Sequence, residues 1–400
     1  MLQVLAEILP NIKVCNIYIT SSYGERCEKV DLCKAECILE FEDGTTMIIS
    51  LPRGTYLVPQ EVTDINQDGD TLFVRASLDE TCSLISTLSA ELGGNIGNLH
   101  ASEPLHDMMV GKCVSCYCKK CHSAFLKDVT FRRVLPLPSV DWDHSSEGWF
   151  CHVHGEESKN LKPASLAPNH DECFYSEFFF LLNCSALNSM NIYYDDDEND
   201  FKCSNCRDSL GEKGSSTIKL WTHSVKWIHS DDETVLFSRS VETILHSLFE
   251  NIDKDSFGVN CRLVLSTDNP KLYLFMVTMN TNQKLHLSES HSDDELLEDG
   301  DVSQGKKART GNDTNVKLRK RYAIKLLYQI KEGDDDESGS WQDDVNVHIL
   351  PCSSSFFTDV RSLLESSSMY LPPAMRTFQN MKVGYVMKSK QNGQLNSIIY

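Results

Sequence analysis

The 400-residue sequence has no run of about 18 apolar residues, so it offers no membrane-spanning helix. It has no His-Glu-x-x-His, no Gly-x-Ser-x-Gly elbow and no phosphate-binding glycine loop. Metalloprotease, hydrolase and kinase chemistry therefore have no support. Positive charge is scarce: 38 Lys and Arg against 58 Asp and Glu leave a net charge of -20. That balance argues against direct binding to nucleic acid or to an anionic membrane. The opening residues, MLQVLAEILPNIKV, lack a basic region and a small-residue cleavage site, so they do not read as a signal peptide.

Cysteine, by contrast, is abundant, with 16 in the chain. Without a secretory signal, its C-x-x-C clusters point to zinc rather than disulfides, in a reducing cytoplasm or nucleus. Cys113, Cys116, Cys118 and Cys121 form two successive pairs, and Cys203 with Cys206 forms another far downstream. Such a pair puts two thiolates on one tight turn, half of a tetrahedral zinc site. Cys118, Cys121, Cys203 and Cys206 are the expected set. Unrelated reduced pairs, or a site made from residues 113–121 alone, are the alternatives.

Residues 1–105 read as β-rich, with a hairpin over Glu36–Ser50 about Asp43-Gly44. Short strands are expected at Tyr56–Pro59 and Thr71–Leu78, split by a polar turn over Asp64–Asp70, then a short helix over Leu84–Leu92. Residues 106–215 form the Cys-rich region. Residues 216–284 and 319–400 alternate strand and helix. Val241, Ile244, Leu245, Leu248, Phe249 and Ile252 recur at helical spacing, and Phe356, Val360, Leu363 and Leu364 mark a second helix. Cys261–Leu265 and Leu272–Met279 read as a hairpin, and Met381–Met387 as a last strand. Residues 285–318, acidic and then basic, read as a disordered charged insertion. The basic part suits a linker or a nuclear import signal. The expected class is α+β: a β-rich N-terminal half and a mixed antiparallel sheet and helix C-terminal half, joined through a zinc-stapled centre.

Two further features carry chemistry. The stretch from Arg132 to His154 holds Pro136, Leu137, Pro138, Trp142, Trp149, Cys151, His152 and His154. Prolines lower the entropy of ordering and tryptophans anchor, which suits insertion into a partner; packing on its own domain is the bland alternative. Cys352 lies between an expected strand and helix, where a nucleophilic thiol can be displayed.

The run Arg133-Val134-Leu135-Pro136-Leu137-Pro138-Ser139, then Trp142 and Gly148-Trp149-Phe150-Cys151-His152, resembles the HECT-like E2-binding family of ubiquitin-protein ligases. Its flanks do too: Cys118-x-x-Cys121, Asp171-Glu172-Cys173-Phe174, Cys203-x-x-Cys206 with Leu210-Gly211-Glu212, and Leu371-Pro372-Pro373-Ala374-Met375-Arg376. The resemblance implies a ligase that takes ubiquitin from a ubiquitin-conjugating enzyme (E2). It also implies a second partner, the metallo-β-lactamase-fold endonuclease of pre-mRNA cleavage and polyadenylation. Cys151, with His152, would then reach the partner's metal from a motif spanning Pro136 to Pro163. Phe150 stands where a second Cys can occur in such motifs.

Overall fold

The computed structural model describes residues 2–20, 26–80, 105–137, 167–187, 191–194, 200–214, 216–255, 261–268, 271–288, 313–333 and 347–388. The helix expected over 84–92 and the positions Pro138, Trp142, Trp149, Cys151 and His152 lie outside them. In chain order the strands of the first part are β1 Gln3–Leu9, β2 Val14–Thr20, β3 Cys27–Leu32, β4 Glu36–Phe41, β5 Thr46–Ser50, β6 Leu57–Asp68 and β7 Thr71–Leu78. Next come α1 Leu105–Met109, β8 Cys113–Cys118, β9 Ala124–Thr130, β10 Arg133–Pro136, β11 Glu172–Tyr175, β12 Phe179–Asn183, β13 Ile192–Tyr194, β14 Asp200–Cys203 and β15 Ser209–Lys213. The remainder are β16 Thr217–Trp221, β17 Val225–His229, β18 Val235–Phe237, α2 Val241–Asp255, β19 Arg262–Asp268, β20 Lys271–Ser288, β21 Asp313–Glu332, β22 Val347–Pro351, α3 Ser354–Ser368, β23 Thr377–Phe378 and β24 Met381–Met387. The described residues are thus mostly sheet, and α2 and α3 are the two long helices.

The chain divides into two compact units. The first comprises Met1–Leu99, Met279–Leu327 and Leu364–Lys388. Its strands follow the order β3-β4-β5-β21-β20-β1-β2-β7-β6. β3 packs beside β6, and the Cys27 amide donates to Gln67 Oε1 (2.8 Å), so the nine strands wrap around one interior. Alternation fills it. Val4, Ala6 and Ile8, Ile17 and Ile19, Leu72 and Val74, and Val316 and Leu318 point inward. The intervening Leu5, Tyr18, Phe73, Ala323 and Leu327 face outward and are covered by Leu371, Val383 and Tyr385.

The hairpin read over Glu36–Ser50 is present as β4 and β5. Its turn is held by Asp43 Oδ1, which accepts from the Thr45 amide (2.8 Å) and hydroxyl (2.6 Å). Two expectations change. The polar turn at Asp64–Asp70 is mostly strand, because a sheet-edge strand keeps polar side chains in water while its backbone still pairs with β7. The charged insertion expected over 285–318 gives up both ends. β20 runs on to Ser288 with Leu285 buried, and Val316 and Leu318 enter the interior from β21, where Asp313–Lys317 pair in parallel with β5.

The second unit comprises His100–Thr278, Tyr328–Leu363 and Ser389–Tyr400. A seven-stranded sheet, β10-β11-β12-β16-β15-β14-β13, and a four-stranded sheet, β18-β17-β8-β9, enclose a common core. Trp227 lies at its centre, fully buried, edge-on to Phe131 (5.8 Å) and Phe180 (5.5 Å). Such aromatic pairs add to the area each ring buries. α2 is where the apolar spacing placed a helix, and Ile244, Leu245, Leu248 and Phe249 are its buried stripe. Ser240 starts it: its hydroxyl accepts from the Thr243 amide (3.3 Å). α3 starts the same way at Ser353, whose hydroxyl accepts from the Phe356 amide (3.2 Å). β16 and β17 are joined by a tight turn at Thr222–Ser224.

Candidate metal centre and its surroundings

β8 ends on Cys118 and β14 ends on Cys203, and each strand leads into a C-x-x-C turn. The two turns are built alike. The Cys118 amide donates to Ser123 O and the His122 amide to Cys118 O, both at 2.9 Å. The Cys203 amide donates to Asp208 O (2.9 Å) and the Arg207 amide to Cys203 O (2.8 Å). In each turn the residue after the second Cys is left-handed, His122 at φ +59° and Arg207 at φ +60°. Neither is glycine, so each turn holds a mildly unfavourable conformation that its hydrogen bonds and fold must stabilise.

The turns bring four sulfurs together. Cys118 Sγ is 3.6 Å from Cys206 Sγ, and Cys121 Sγ is 3.5 Å from Cys203 Sγ. All four lie within 4.8 Å of one another. A tetrahedral zinc with bonds of about 2.3 Å would hold its sulfurs about 3.8 Å apart, so the donor set fits a metal ion. Cys118 and Cys203 are buried; Cys121 and Cys206 are partly exposed. Burial pushes Cys118 and Cys206 up from the ordinary thiol range. Burial opposes ionisation of Cys121 as well, but the hydrogen bonds from Ser123, Asn205 and Cys203 outweigh it and hold the thiol at about 6. The structure thus brings together the residues the spacing selected. Cys113 and Cys116 are elsewhere: Cys116 is fully buried in the core opposite Trp227, and Cys113 Sγ faces Asp128.

The residues between the first two cysteines, Lys119 and Lys120, were not singled out by the sequence. Lys120 Nζ pairs with Asp208 of the other turn (3.2 Å). Lys119 Nζ donates to Arg239 O (2.5 Å), just before α2, and faces the charges of Glu242 and Asp359. Arg239 in turn pairs with Glu177. Two adjacent lysines inside a C-x-x-C are the one sequence signal that could have marked this network.

Cys352 follows β22, and its amide donates to Ser266 O (2.8 Å). It is 8 % exposed. The next residue, Ser353, shares a hydrogen bond with His223 Nε2 (2.9 Å). The His223 ring packs on Phe356 (4.3 Å) and Trp221 (6.3 Å), and burial lowers its pKa to about 3, so it is neutral. No spacing or motif in the sequence linked His223 to Ser353.

Pro136 ends β10, and the Leu137 amide donates to Tyr175 O (2.8 Å). β10 runs parallel to β11, so the segment that contains Cys151 leaves from one strand and returns into its neighbour. The pair is clamped by charge. Arg133 reaches Glu172 Oε1 (3.0 Å), and Arg132 Nε reaches Asp171 (2.9 Å). Glu172 Oε2 accepts from the amide (3.1 Å) and side chain (2.9 Å) of Asn169. The Asn169 amide bond, aided by Arg133 and Arg132 against the effect of burial, lowers the Glu172 pKa.

Residues 7–383 match a family described as HECT-like ubiquitin-conjugating enzyme (E2)-binding. Three curated proteins similar to this chain carry the name of E3 ubiquitin-protein ligases. The mouse protein is 26 % identical over 375 residues, covering 89 % of this chain and 90 % of its own. The rat protein is 26 % identical over 368 residues, covering 88 % of each. The human protein is 24 % identical over 302 residues, covering 69 % of this chain and 73 % of its own. No solved structure matches.

Proposed function

From the premise that this chain belongs to the HECT-like ubiquitin-conjugating enzyme (E2)-binding family, we propose that it is an E3 ubiquitin ligase that takes ubiquitin from a bound conjugating enzyme. The observation that carries the reading is the span of the match, which runs through both compact units, together with relatives named as E3 ligases. Membership supports an E2 partner; the transfer itself is our inference.

Two routes are open to the transfer. In a relay, the Cys352 thiolate attacks the thioester carbonyl of charged E2, the E2 cysteine leaves as thiolate, and a substrate amine later displaces Cys352. In direct transfer, the amine attacks the E2 thioester and this chain only orients it. A relay needs an exposed thiol, and Cys352 is 8 % exposed, so we favour direct transfer for the structure as it stands. The test is discharge of a charged E2 by wild-type and Cys352→Ala protein, with a search for a thiol-sensitive ubiquitin adduct. An adduct that disappears in the variant would establish the relay.

We assign zinc, in a structural role, to Cys118, Cys121, Cys203 and Cys206, because four sulfurs on two like turns suit it best. The activity is expected in cytoplasm and nucleus, where thiols stay reduced.

A second reading is a metal-stabilised scaffold without ligase activity. It would bind and block the metallo-β-lactamase-fold endonuclease of pre-mRNA 3′-end processing. Cys151 and His152 would meet the partner's metal, with Pro136, Leu137, Pro138, Trp142 and Trp149 as contacts. The clamp of Arg132 and Arg133 on Asp171 and Glu172 favours it, because it ties the strand that segment leaves to the strand it enters. A pull-down of the nuclease with wild-type and Cys151→Ala protein tests it. Equal capture would remove the metal-plug role.

A further inference from the structure

The four-Cys centre and Cys352 are far apart in sequence but close in connectivity. From Cys118 the chain passes to Lys119, whose amide donates to Ser224 O (2.9 Å) in the turn between β16 and β17. The residue before Ser224 is His223, which bonds Ser353, and Ser353 adjoins Cys352. Two hydrogen bonds therefore separate a metal ligand from this thiol.

The turn has other ties that reach the start of α3. Thr222 bonds the Phe178 carbonyl through its amide and its hydroxyl, both at 3.0 Å. The Phe178 ring meets Phe356 edge-on at 5.2 Å, beside His223. Lys119 adds charge contacts to Glu242 at the start of α2 and to Asp359 on α3. The first turn of α3 is thus seated on a block made of Phe178, Trp221 and His223, and that block is fastened to the first C-x-x-C turn.

Loss of the ion removes the cross-link between the two C-x-x-C turns, and the left-handed non-glycine residue of each then rests on its hydrogen bonds alone. Loosening of the first turn would free the Lys119 amide from Ser224, and the His223 ring would lose part of what fixes its backbone. Ser353, whose hydroxyl caps α3, would then lose one of the partners that fix it.

We propose that metal occupancy at Cys118, Cys121, Cys203 and Cys206 controls the exposure of Cys352, through Lys119, the Thr222–Ser224 turn and the His223–Ser353 bond. With metal bound, Cys352 is shielded. Without metal, the start of α3 lifts and the thiol meets solvent. The proposal rests on the metal reading above and adds a consequence to it. It also supplies the circumstance in which a Cys352 relay would operate.

The experiment is pulse labelling of the intact chain with N-ethylmaleimide, read for each cysteine by mass spectrometry, alongside metal content. In the metal-loaded chain, Cys352 should label at least about tenfold more slowly than Cys33, which is exposed. Chelation with EDTA should remove most of that difference while the core thiols Cys116 and Cys173 stay protected. His223→Ala and Ser353→Ala should each raise Cys352 labelling at full metal content. The proposal is overturned if Cys352 stays slow after metal loss, if it opens only together with Cys116 and Cys173, or if both variants leave it slow. A chain that purifies without metal and with Cys352 protected overturns it too, and in that case the metal reading itself has failed.

Discussion

Tyr385, in the last described strand, donates its hydroxyl to Glu7 Oε1 of the first strand at 2.6 Å. Lys325 Nζ reaches the same oxygen at 2.7 Å, and the Tyr18 hydroxyl reaches Oε2 at 3.3 Å. Glu7 is 1 % exposed, so a carboxylate sits under the outer apolar layer of the nine-stranded unit with a cation and two phenols for company. A buried carboxylate is tolerable only when it is paired and hydrogen-bonded. Removing the phenol alone, Tyr385→Phe, should cost about 1–2 kcal/mol in urea unfolding. Removing the cation, Lys325→Met, should cost more, about 3–5 kcal/mol, because it strands the charge.

The same cluster sets an alkaline limit. Burial, followed by the Glu7 charge, raises the Tyr385 pKa well above its ordinary 10.0, and raises that of Tyr18 in the same way. A group whose folded pKa is raised contributes stability that is complete below its unfolded value and is lost above it. Unfolding free energy should therefore fall as pH rises past about 10, less steeply in Tyr385→Phe.

The acid side is set by histidine. Burial lowers His223 and His286 to about 3 from 6.5. Between those values the unfolded chain takes up protons that the folded chain refuses. Stability should fall as pH drops from 6.5 towards 3, by up to about 1.4 kcal/mol per pH unit for each histidine. His286→Gln should flatten the slope. An unchanged pH profile in that variant would show that the ring is not buried as described.

Gly211 marks where backbone and ring meet most closely. A Cβ there would overlap the Lys219 carbonyl oxygen and come within 2.6 Å of Phe201 Cε1. The carbonyl is backbone in the β15–β16 ladder and cannot move aside cheaply. Gly211→Ala should destabilise the second unit by about 3 kcal/mol or more and loosen the neighbouring Cys203–Cys206 turn. A fall in metal retention alongside the stability loss would register both effects.

Much of this was legible in the sequence, and the reason differs by element. The Cys118, Cys121, Cys203 and Cys206 set was readable because chemistry fixes ligand type and spacing within each turn. Its cross-chain pairing could only be inferred, since the long gap carries no signal. α2 and α3 were readable from apolar stripes at helical spacing. β6 was obscured because an edge strand is as polar as a loop. The Glu7–Lys325–Tyr385 cluster and the His223–Ser353 bond were invisible for one reason. Each joins single residues on distant elements, and no local pattern encodes such a meeting.

Ubiquitin transfer from a bound conjugating enzyme can be read in a single-turnover discharge experiment. A ubiquitin-charged E2 is mixed with excess free lysine, with and without the metal-loaded chain, and loss of the thioester is followed in time. A ligase of this kind should speed discharge at least about tenfold, with no thiol-sensitive adduct on Cys352. Discharge at the uncatalysed rate with every E2 that the chain binds would contradict ligase activity and leave the scaffold reading in its place.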